Sequence, residues 1–282
     1  MDVDSPQVRS AIDALRLAID SPAFKPPMLP VVAQEALAIA TDKKVDLATL
    51  GKIIDRDQVL AARFLTVANS PTYRRRVSAT TVSQALMRLG LTNSRDLLFF
   101  TAVEPAMFTS REYEVEMTSL RTHSLGTAVA SAFIARARGF SDEYASLAGL
   151  IHDLGAAAVV HHIAQHEQRF AVLRVAEGGV ARAVAETHEL ANQRVARRWS
   201  LPEPVMRAMN EHHQIVQSSP FIVVLAAAAD ELATLSGLGS GMDPTGGRVA
   251  LRRIFVDEAA VDRIVNSFAA DLGSVDDLDA PG

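Results

Sequence analysis

Apolar residues recur along most of this chain at the three- and four-residue spacing of an amphipathic α-helix. The first such face is formed by Val8, Ile12, Leu15 and Ile19, and it predicts a helix over residues 8–19. Four prolines between positions 22 and 30 then interrupt the chain, because proline disfavours helical backbone before it. The same spacing predicts further helices over residues 31–40, 47–55, 58–69, 81–89 and 92–99.

Candidate cap residues mark the ends of several predicted helices. Asp46, Asp57 and Thr80 or Thr81 stand where side-chain oxygens can accept the first orphan N–H groups, and Gly90 stands where a C-cap glycine is expected. The stretch 109–118 is charged and broken, so we interpret it as a boundary between two helical lobes. Helices are predicted beyond it over residues 121–138, 143–151 and onward, 179–199, 204–213, 220–235 and 257–272.

Strict apolar–polar alternation is nearly absent, so the pattern predicts an all-α fold. Residues 237–247 are rich in glycine but lack Walker spacing, which favours a linker over a phosphate-binding loop. The acidic residues 274–282 are predicted to be a frayed tail.

Composition narrows the classes of protein that this chain can represent. With 282 residues, 49% hydrophobic and 22% charged, it can bury a core as one large domain or two small ones. Cysteine is absent, which excludes disulfides and thiolate metal sites. The net charge of −5 argues against a general nucleic-acid binder, since such proteins carry a basic face.

No targeting or membrane segment is expected from the sequence. The first twenty residues carry acids and lack the basic and apolar layout of a signal peptide. The longest apolar run, residues 221–229, ends at Asp230 and is shorter than the ~20 residues that span a bilayer. We therefore predict a cytoplasmic protein without membrane contact.

A histidine–aspartate pair, His152-Asp153, ends the apolar run at residues 147–151. Burying these side chains unpaired costs several kcal/mol, so they are either a hydrogen-bonded core pair or metal ligands. Further histidines and a carboxylate recur on separate predicted helices, each beside an apolar face. In a helical bundle such side chains could converge on one or two ions, and imidazole and carboxylate ligands suit Fe, Mn, Zn or Ni. The candidate metal ligands are His123, His152, Asp153, His188, His212, His213 and Asp230.

Other conspicuous residues receive structural interpretations. Three histidines near a predicted helix end, His161, His162 and His166, are interpreted as complements to the helix dipole. The run of arginines at 74–76 is interpreted as a solvated loop, with an anion grip as the alternative. Trp199 is predicted to anchor the core at a helix end.

A series of motifs in order makes the chain resemble the HDOD family, the HD-related output domain of bacterial signalling proteins. The resemblance runs from about Pro27 to Asp230, on LP at 29–30, IDRDQVLAAR at 54–63, VANS at 67–70, QALMRLGL at 84–91, HS at 123–124, AGLIHDLG at 148–155, HELA at 188–191, WSLP at 199–202 and HH at 212–213. It implies two packed helical lobes over residues 26–108 and 119–235, the second HD-domain-like. An N-terminal helix (1–25), a Gly-rich loop with a C-terminal helix (236–272) and a tail (273–282) complete the predicted organisation.

The resemblance also implies roles for the candidate ligands. It places His123, His152, Asp153 and Asp230 at one metal, and His188 with His212 or His213 near a second. The chain departs from the active HD-type hydrolases at two places. Ala156 stands where those enzymes commonly carry a lysine, and residues 214–217 lack the Gly-Tyr-Pro element of cyclic-di-GMP hydrolases.

These departures favour a non-catalytic signal-transduction module with no catalytic residues, acting through signalling protein partners, with a nucleotide or a divalent metal as a candidate ligand. The alternative is a metal-dependent HD-type phosphohydrolase or phosphodiesterase acting on a nucleotide or cyclic dinucleotide. A third hypothesis is a regulator that binds nucleic acid or nucleotide through Arg63 and the arginines at positions 74–76.

Overall fold

The computed structural model describes residues 1–29, 31–42, 44–69, 73, 76–140, 144–241, 248–255 and 257–272. The chain is 76% helical, and the described residues contain no strand. The predicted all-α fold is therefore confirmed. The predicted acidic tail, most of the Gly-rich loop, and Arg74 and Arg75 lie outside the described residues.

The helices are, in chain order, α1 (Pro6–Asp20), α2 (Val31–Thr41), α3 (Leu47–Ile54), α4 (Gln58–Asn69), α5 (Val82–Leu89), α6 (Leu91–Met107), α7 (Glu114–Ala137), α8 (Ala145–Ile151), α9 (Leu154–Gln165), α10 (Glu167–Val175), α11 (Gly179–Trp199), α12 (Glu203–Glu211), α13 (Phe221–Ala233), α14 (Val249–Phe255) and α15 (Glu258–Leu272). A 3₁₀ turn, His212–Gln214, follows α12, and a π-helical turn, Thr234–Leu238, follows α13.

The chain forms two compact units. The larger unit comprises residues 1–28 and 107–265, and the smaller unit comprises residues 29–106 with the C-terminal residues from 266 onward. This division does not test the predicted lobes at 26–108 and 119–235, which stay predictions.

The smaller unit shows how the predicted caps work. The Asp46 carboxylate accepts the Thr49 N–H at 2.8 Å, and Thr81 caps α5 in the same way. Gly90 ends α5 with a left-handed φ of 78°, which glycine adopts without the steric cost of a Cβ. These predicted helix ends are confirmed.

The larger unit is built on helices that are apolar on nearly every side. All seven residues of α8 are buried, and α13 is buried from Ile222 to Ala229. α1 covers this unit with the predicted apolar face, since Val8, Ile12, Leu15 and Ile19 are all buried. Helices with so little polar surface belong in a core, and here they surround a few polar side chains.

α9 and α11 approach each other closely at one glycine. A Cβ on Gly155 would lie 2.4 Å from both the Asn192 N and the His188 O of α11, nearer than any real Cβ contact. Only glycine fits there, because the α11 backbone occupies the space of a side chain. The first turn of α9 is therefore held directly against the helix that carries His188.

Two sequence predictions in this region were wrong in part. The stretch 109–118 was predicted to be broken; residues 109–113 are non-helical, but α7 begins at Glu114, where Glu114 and Glu116 provide the acidic first turn that a helix N-terminus favours. The helix predicted over residues 143–151 and onward ends at Ile151, and α9 begins at Leu154. His152 and Asp153 therefore lie in a turn rather than inside one helix.

Two stretches pass a length and composition test for a membrane span. They are Ala145–Gln165, which is 83% buried inside the protein, and Phe221–Leu238, which is 56% buried. The uninterrupted apolar run of the second stretch ends at Asp230, and the helix predicted over residues 220–235 continues through Asp230 to Ala233, where the π-helical turn follows. Core helices pass the same test, and both stretches contribute core residues to the larger unit.

Candidate metal centre

The seven candidate ligands come from five places in the larger unit. α7 carries His123, the turn between α8 and α9 carries His152 and Asp153, and α11 carries His188. The 3₁₀ turn after α12 carries the adjacent His212 and His213, and α13 carries Asp230. The fold brings all seven side chains into one cluster.

One part of the cluster, the His123 half, comprises His123, His152 and Asp230 with the Oδ2 of Asp153. The His123 Nε2 lies 3.2 Å from the His152 Nε2 and 3.2 Å from the Asp230 Oδ1. The His152 Nε2 lies 3.5 Å from the Asp153 Oδ2. Four ligand atoms from two helices and one turn therefore face each other.

The other part, the His188 half, comprises His188, His212 and His213 with the Oδ1 of Asp153. This oxygen lies 3.7 Å from the His188 Nε2, 3.4 Å from the His212 Nε2 and 3.9 Å from the His213 Nε2. The His188 Nε2 and the His213 Nε2 are 2.9 Å apart. Asp153 thus presents one carboxylate oxygen to each half.

Backbone carbonyls orient four of the five rings. The Nδ1 atoms of His123, His152, His188 and His212 lie 2.8–3.0 Å from the carbonyl oxygens of Leu238, Gly149, Val184 and Ala208, respectively. A carbonyl oxygen can only accept, so each of these Nδ1 atoms donates its N–H. The Nε2 atoms that point into the cluster are then left to act as metal ligands, the usual arrangement around a ligating histidine.

The type and spacing of these ligand atoms fit a divalent transition metal. Two pairs of Nε2 atoms meet at 3.2 and 2.9 Å, and each pair needs either a proton or a cation between its lone pairs. The buried His212 Nε2 lies 3.4 Å from the Asp153 Oδ1 and has no hydrogen-bond partner among the described residues. Three sets of ligand atoms lie within 4.8 Å of one another, namely His123/His152/Asp153, His152/His212/Asp230 and Asp153/His188/His213.

Burial and charge act in opposite directions on the pKa values of the His123 half. Burial alone would lower the pKa of His123, but the hydrogen bond and the charge of Asp230 outweigh it and raise that pKa to about 9. Burial dominates at His152 and lowers its pKa to about 4. Without a metal, one proton on His123 therefore balances Asp230, and a cation bound there would replace that proton.

Burial and charge also act in opposite directions on the pKa of the bridging carboxylate, Asp153. Burial alone would raise the pKa of Asp153, but the charges of His152 and His188 and the close approach of His212 hold it well below its ordinary value. The pKa of His212 is raised, since Asp153 outweighs the effect of burial. Burial would likewise raise the pKa of Asp230, and its contact with His123 lowers it. Both carboxylates are thus ionised and ready to bind a cation.

Two members of the cluster are more exposed than the others. The side chains of His152, His188 and His212 are 0–2% exposed and that of Asp153 is 5% exposed, whereas His213 is 12% and Asp230 is 19% exposed. His213 and Asp230 are therefore the candidate ligands that solvent reaches most readily.

Sequence reasoning missed one polar residue beside the cluster. Asn192 is completely buried and lies one turn after His188 on α11. Its amide bonds the backbone around Asp153 and near His212. The only sequence signal was the four-residue spacing from His188, which places both side chains on one helix face.

The remaining residues noted in the sequence lie elsewhere. The His161 ring contacts the Met107 carbonyl at 2.9 Å, and His162 packs edge-on against Phe24. Trp199 is 6% exposed, and its Nε1 donates to the Pro27 carbonyl at 3.1 Å, so the predicted core anchor is confirmed.

The helical fold and the histidine–aspartate cluster define an HD-type domain, and comparison with known proteins identifies its family. The family model of the HDOD domain matches residues 27–215, and the chain belongs to that family. An uncharacterised protein of Treponema pallidum (strain Nichols) is 25% identical over 226 residues, which cover 75% of this chain and 43% of that protein. The chain thus spans less than half the length of this relative.

Two solved structures share the fold. One is a proposed metal-dependent phosphohydrolase of Shewanella amazonensis SB2B, with a TM-score of 0.71, 20% identity and coverage of 95% of this chain and 99% of that one. The other is an HDOD domain protein of unknown function from Geobacter sulfurreducens, with a TM-score of 0.67, 23% identity and coverage of 96% and 99%. At these identities the likeness concerns the fold alone.

Proposed function

We propose that this HDOD domain is a cytoplasmic signal-transduction module that binds a divalent metal at the histidine–aspartate cluster and acts through protein partners without catalysis. The observation that carries the metal is the convergence of Nε2 atoms at 2.9 and 3.2 Å around one two-sided carboxylate. The ligands would be His123, His152, Asp153 and Asp230 in one half and Asp153, His188, His212 and His213 in the other. Nitrogen and oxygen ligands of this kind suit Fe, Mn, Zn or Ni.

Two segments next to the cluster support the absence of catalysis. In the first turn of α9, Ala156 is 2% exposed and packs in the core, so this position supplies no cation for a substrate phosphate. The segment after His213 carries no Gly-Tyr-Pro element. Instead, Arg253 donates to the carbonyls of Val216 and Gln217 and holds this segment from α14.

A signalling role is supported by the elements that a metal would connect. Its ligands come from α7, α11, α13, the turn before α9 and the turn after α12, so occupancy favours one arrangement of these elements over others. A protein partner or a nucleotide that recognises this arrangement would bind in proportion to metal occupancy. That the protein has a surface to which such a partner binds is likewise part of this proposal.

The proposal is tested by combining metal analysis with turnover assays on untagged protein. We expect up to two divalent ions per chain and no hydrolysis of cyclic dinucleotides or nucleoside phosphates by the metal-loaded protein. The Asp153→Asn variant keeps the size of the side chain but removes the bridging charge, so it should lose bound metal. Turnover by the wild type that Asp153→Asn abolishes would overturn the non-catalytic part of the proposal.

One observation favours a second candidate function, an HD-type phosphohydrolase or phosphodiesterase. A carboxylate shared between two histidine groups is suited to hold two ions, and such a pair supplies Lewis-acid stabilisation to a phosphoryl group. In that case His213 and Asp230, the most exposed of the seven candidate ligands, would be the first that an entering nucleotide meets. The related Shewanella amazonensis protein is described as a proposed metal-dependent phosphohydrolase. The turnover assay above decides between the two functions.

A further inference from the structure

The buried side chain of Asn192 uses its whole amide group to join separate parts of the backbone. Its Nδ2 donates to the His152 carbonyl at 2.8 Å and to the Met209 carbonyl at 3.1 Å. Its Oδ1 accepts the Gly155 N–H at 2.7 Å. A buried polar group with its hydrogen bonds made is costly to replace, because its partners would then stay buried and unpaired.

The three bonds join α11 to two other segments, and these three parts of the chain together carry the ligands of the His188 half. The bonds to His152 and Gly155 flank Asp153, and Met209 lies three residues before His212. His188 stands one turn earlier on the same helix as Asn192. The Asn192 Nδ2 itself comes within 3.5 Å of the Asp153 Oδ1, the oxygen that faces this half.

The His123 half is supported differently. His123 is oriented by the Leu238 carbonyl, and Asp230 contacts His123 from α13. Asn192 bonds neither of these elements and reaches this half only through the turn that carries His152 and the shared Asp153.

We propose that Asn192 is a positioning residue that fixes the geometry of the His188 half and leaves the His123 half largely unaffected. This inference rests on the proposed metal binding for its functional meaning, although the placement of the histidine rings can be tested without metal. It follows that a substitution at Asn192, a residue that would contact no ion, changes the metal affinities of the two halves unequally.

The test uses Asn192→Leu, which keeps the branched shape of the side chain but is larger, and which removes all the hydrogen bonds of the amide. Asn192→Ala removes the same bonds with less steric demand and serves if the leucine variant does not fold. Titration of the full chain with Mn²⁺, followed by calorimetry, should show affinity for one ion weakened about 10- to 100-fold, the usual effect of losing an outer-shell partner. Affinity for the other ion should change by less than about threefold. The variants His188→Ala and Asp230→Ala identify which step belongs to which half.

Thr187→Val is the matched control. Thr187 is buried on the same helix, and its Oγ1 donates only to the Ala183 carbonyl of its own helix. This variant should lower thermal stability in the presence of chelator, as Asn192→Ala does, but leave both Mn²⁺ affinities unchanged. Equal weakening by Thr187→Val and Asn192→Ala would mean that general destabilisation explains the effect, and it would overturn the proposal.

A second measurement needs no metal and separates this inference from the proposed function. Imidazole ¹⁵N spectra of chelated protein report the protonation of each ring nitrogen. Asn192→Leu or Asn192→Ala should change the signals of His188 and His212 and leave those of His123 in place. If the wild type binds no Mn²⁺, the proposed function fails, and these spectra alone decide the positioning role. Unchanged His188 and His212 signals would refute it.

Discussion

Replacing Gly155 with alanine tests the close approach of α9 and α11, on which the geometry of the cluster depends. An alanine methyl would meet the Asn192 N and the His188 O at 2.4 Å, whereas ordinary contact begins at 3.4 Å. Both obstructing atoms belong to the α11 backbone, so no side-chain rotation relieves the clash. The helices must separate by about 1 Å, the difference between these two distances.

The cost of Gly155→Ala has two parts. Overpacking of this kind costs about 1–3 kcal/mol. Separation by about 1 Å also stretches the bond from the Gly155 N–H to the Asn192 Oδ1 from 2.7 Å beyond hydrogen-bonding distance, which adds about 1–3 kcal/mol for the buried partners. The higher helix propensity of alanine offsets about 1 kcal/mol of this loss in stability. We therefore expect the free energy of unfolding to fall by about 1–5 kcal/mol, with a central value of about 3 kcal/mol.

Urea denaturation followed by circular dichroism measures this change. The matched control is Gly51→Ala in α3, where a new Cβ would meet only the Leu86 side chain at an ordinary 3.5 Å. That variant should be as stable as the wild type or up to about 1 kcal/mol more stable. If Gly155→Ala also left stability unchanged, α9 and α11 would not approach as closely as described, and the placement of His188 beside Asp153 would lose its explanation.

Four further substitutions test other parts of the structure. Gly237→Ala places a Cβ at a left-handed φ of 87°; it should cost about 1–2 kcal/mol by urea denaturation and weaken Mn²⁺ binding through the displaced carbonyl that orients His123. Burial lowers the pKa of His162 to about 4, so the unfolded chain takes up a proton below about pH 6.5 that the folded chain refuses; this residue's contribution to stability falls from pH 7 to pH 5, and His162→Gln should lose less stability over that range than the wild type. Leu15→Ala, at a fully buried position of α1, should lower the free energy of unfolding by about 2–5 kcal/mol. Arg194→Ala, which breaks an exposed ion pair with Asp20, should lower it by less than about 1 kcal/mol. Equal losses of stability would show that α1 is held by charge.

Local patterns in the sequence predicted the helices well, because helix formation depends on spacing and capping that lie within a few residues. Asp46 and Gly90 cap helices as predicted. The pair His152-Asp153 drew attention because two ionisable residues end an apolar run, a conflict that local sequence displays directly. The seven candidate ligands are brought together in one cluster, although their binding of metal stays a prediction.

The features that orient the cluster depend on contacts between distant segments, which local patterns do not contain. The Leu238 carbonyl reaches His123 from 115 residues away, where Gly237 bends the chain within the π-helical turn. Asn192 bonds Gly155 across 37 residues. Backbone carbonyls are present at every residue, so no sequence signal distinguishes the one that fixes a histidine tautomer. The interruption of the helix at His152 likewise follows from tertiary packing, because no proline or glycine stands at that position.

Binding of divalent metal by the histidine–aspartate cluster is best tested by native mass spectrometry of untagged protein. After incubation with Zn²⁺ or Mn²⁺ and removal of excess ion, we expect one or two ions per wild-type chain. Asp153→Ala removes the carboxylate shared by both halves and should reduce this to none, while the control Thr187→Val should match the wild type. A wild-type chain that retains no ion, or an Asp153→Ala variant that retains as many, would contradict metal binding at this cluster.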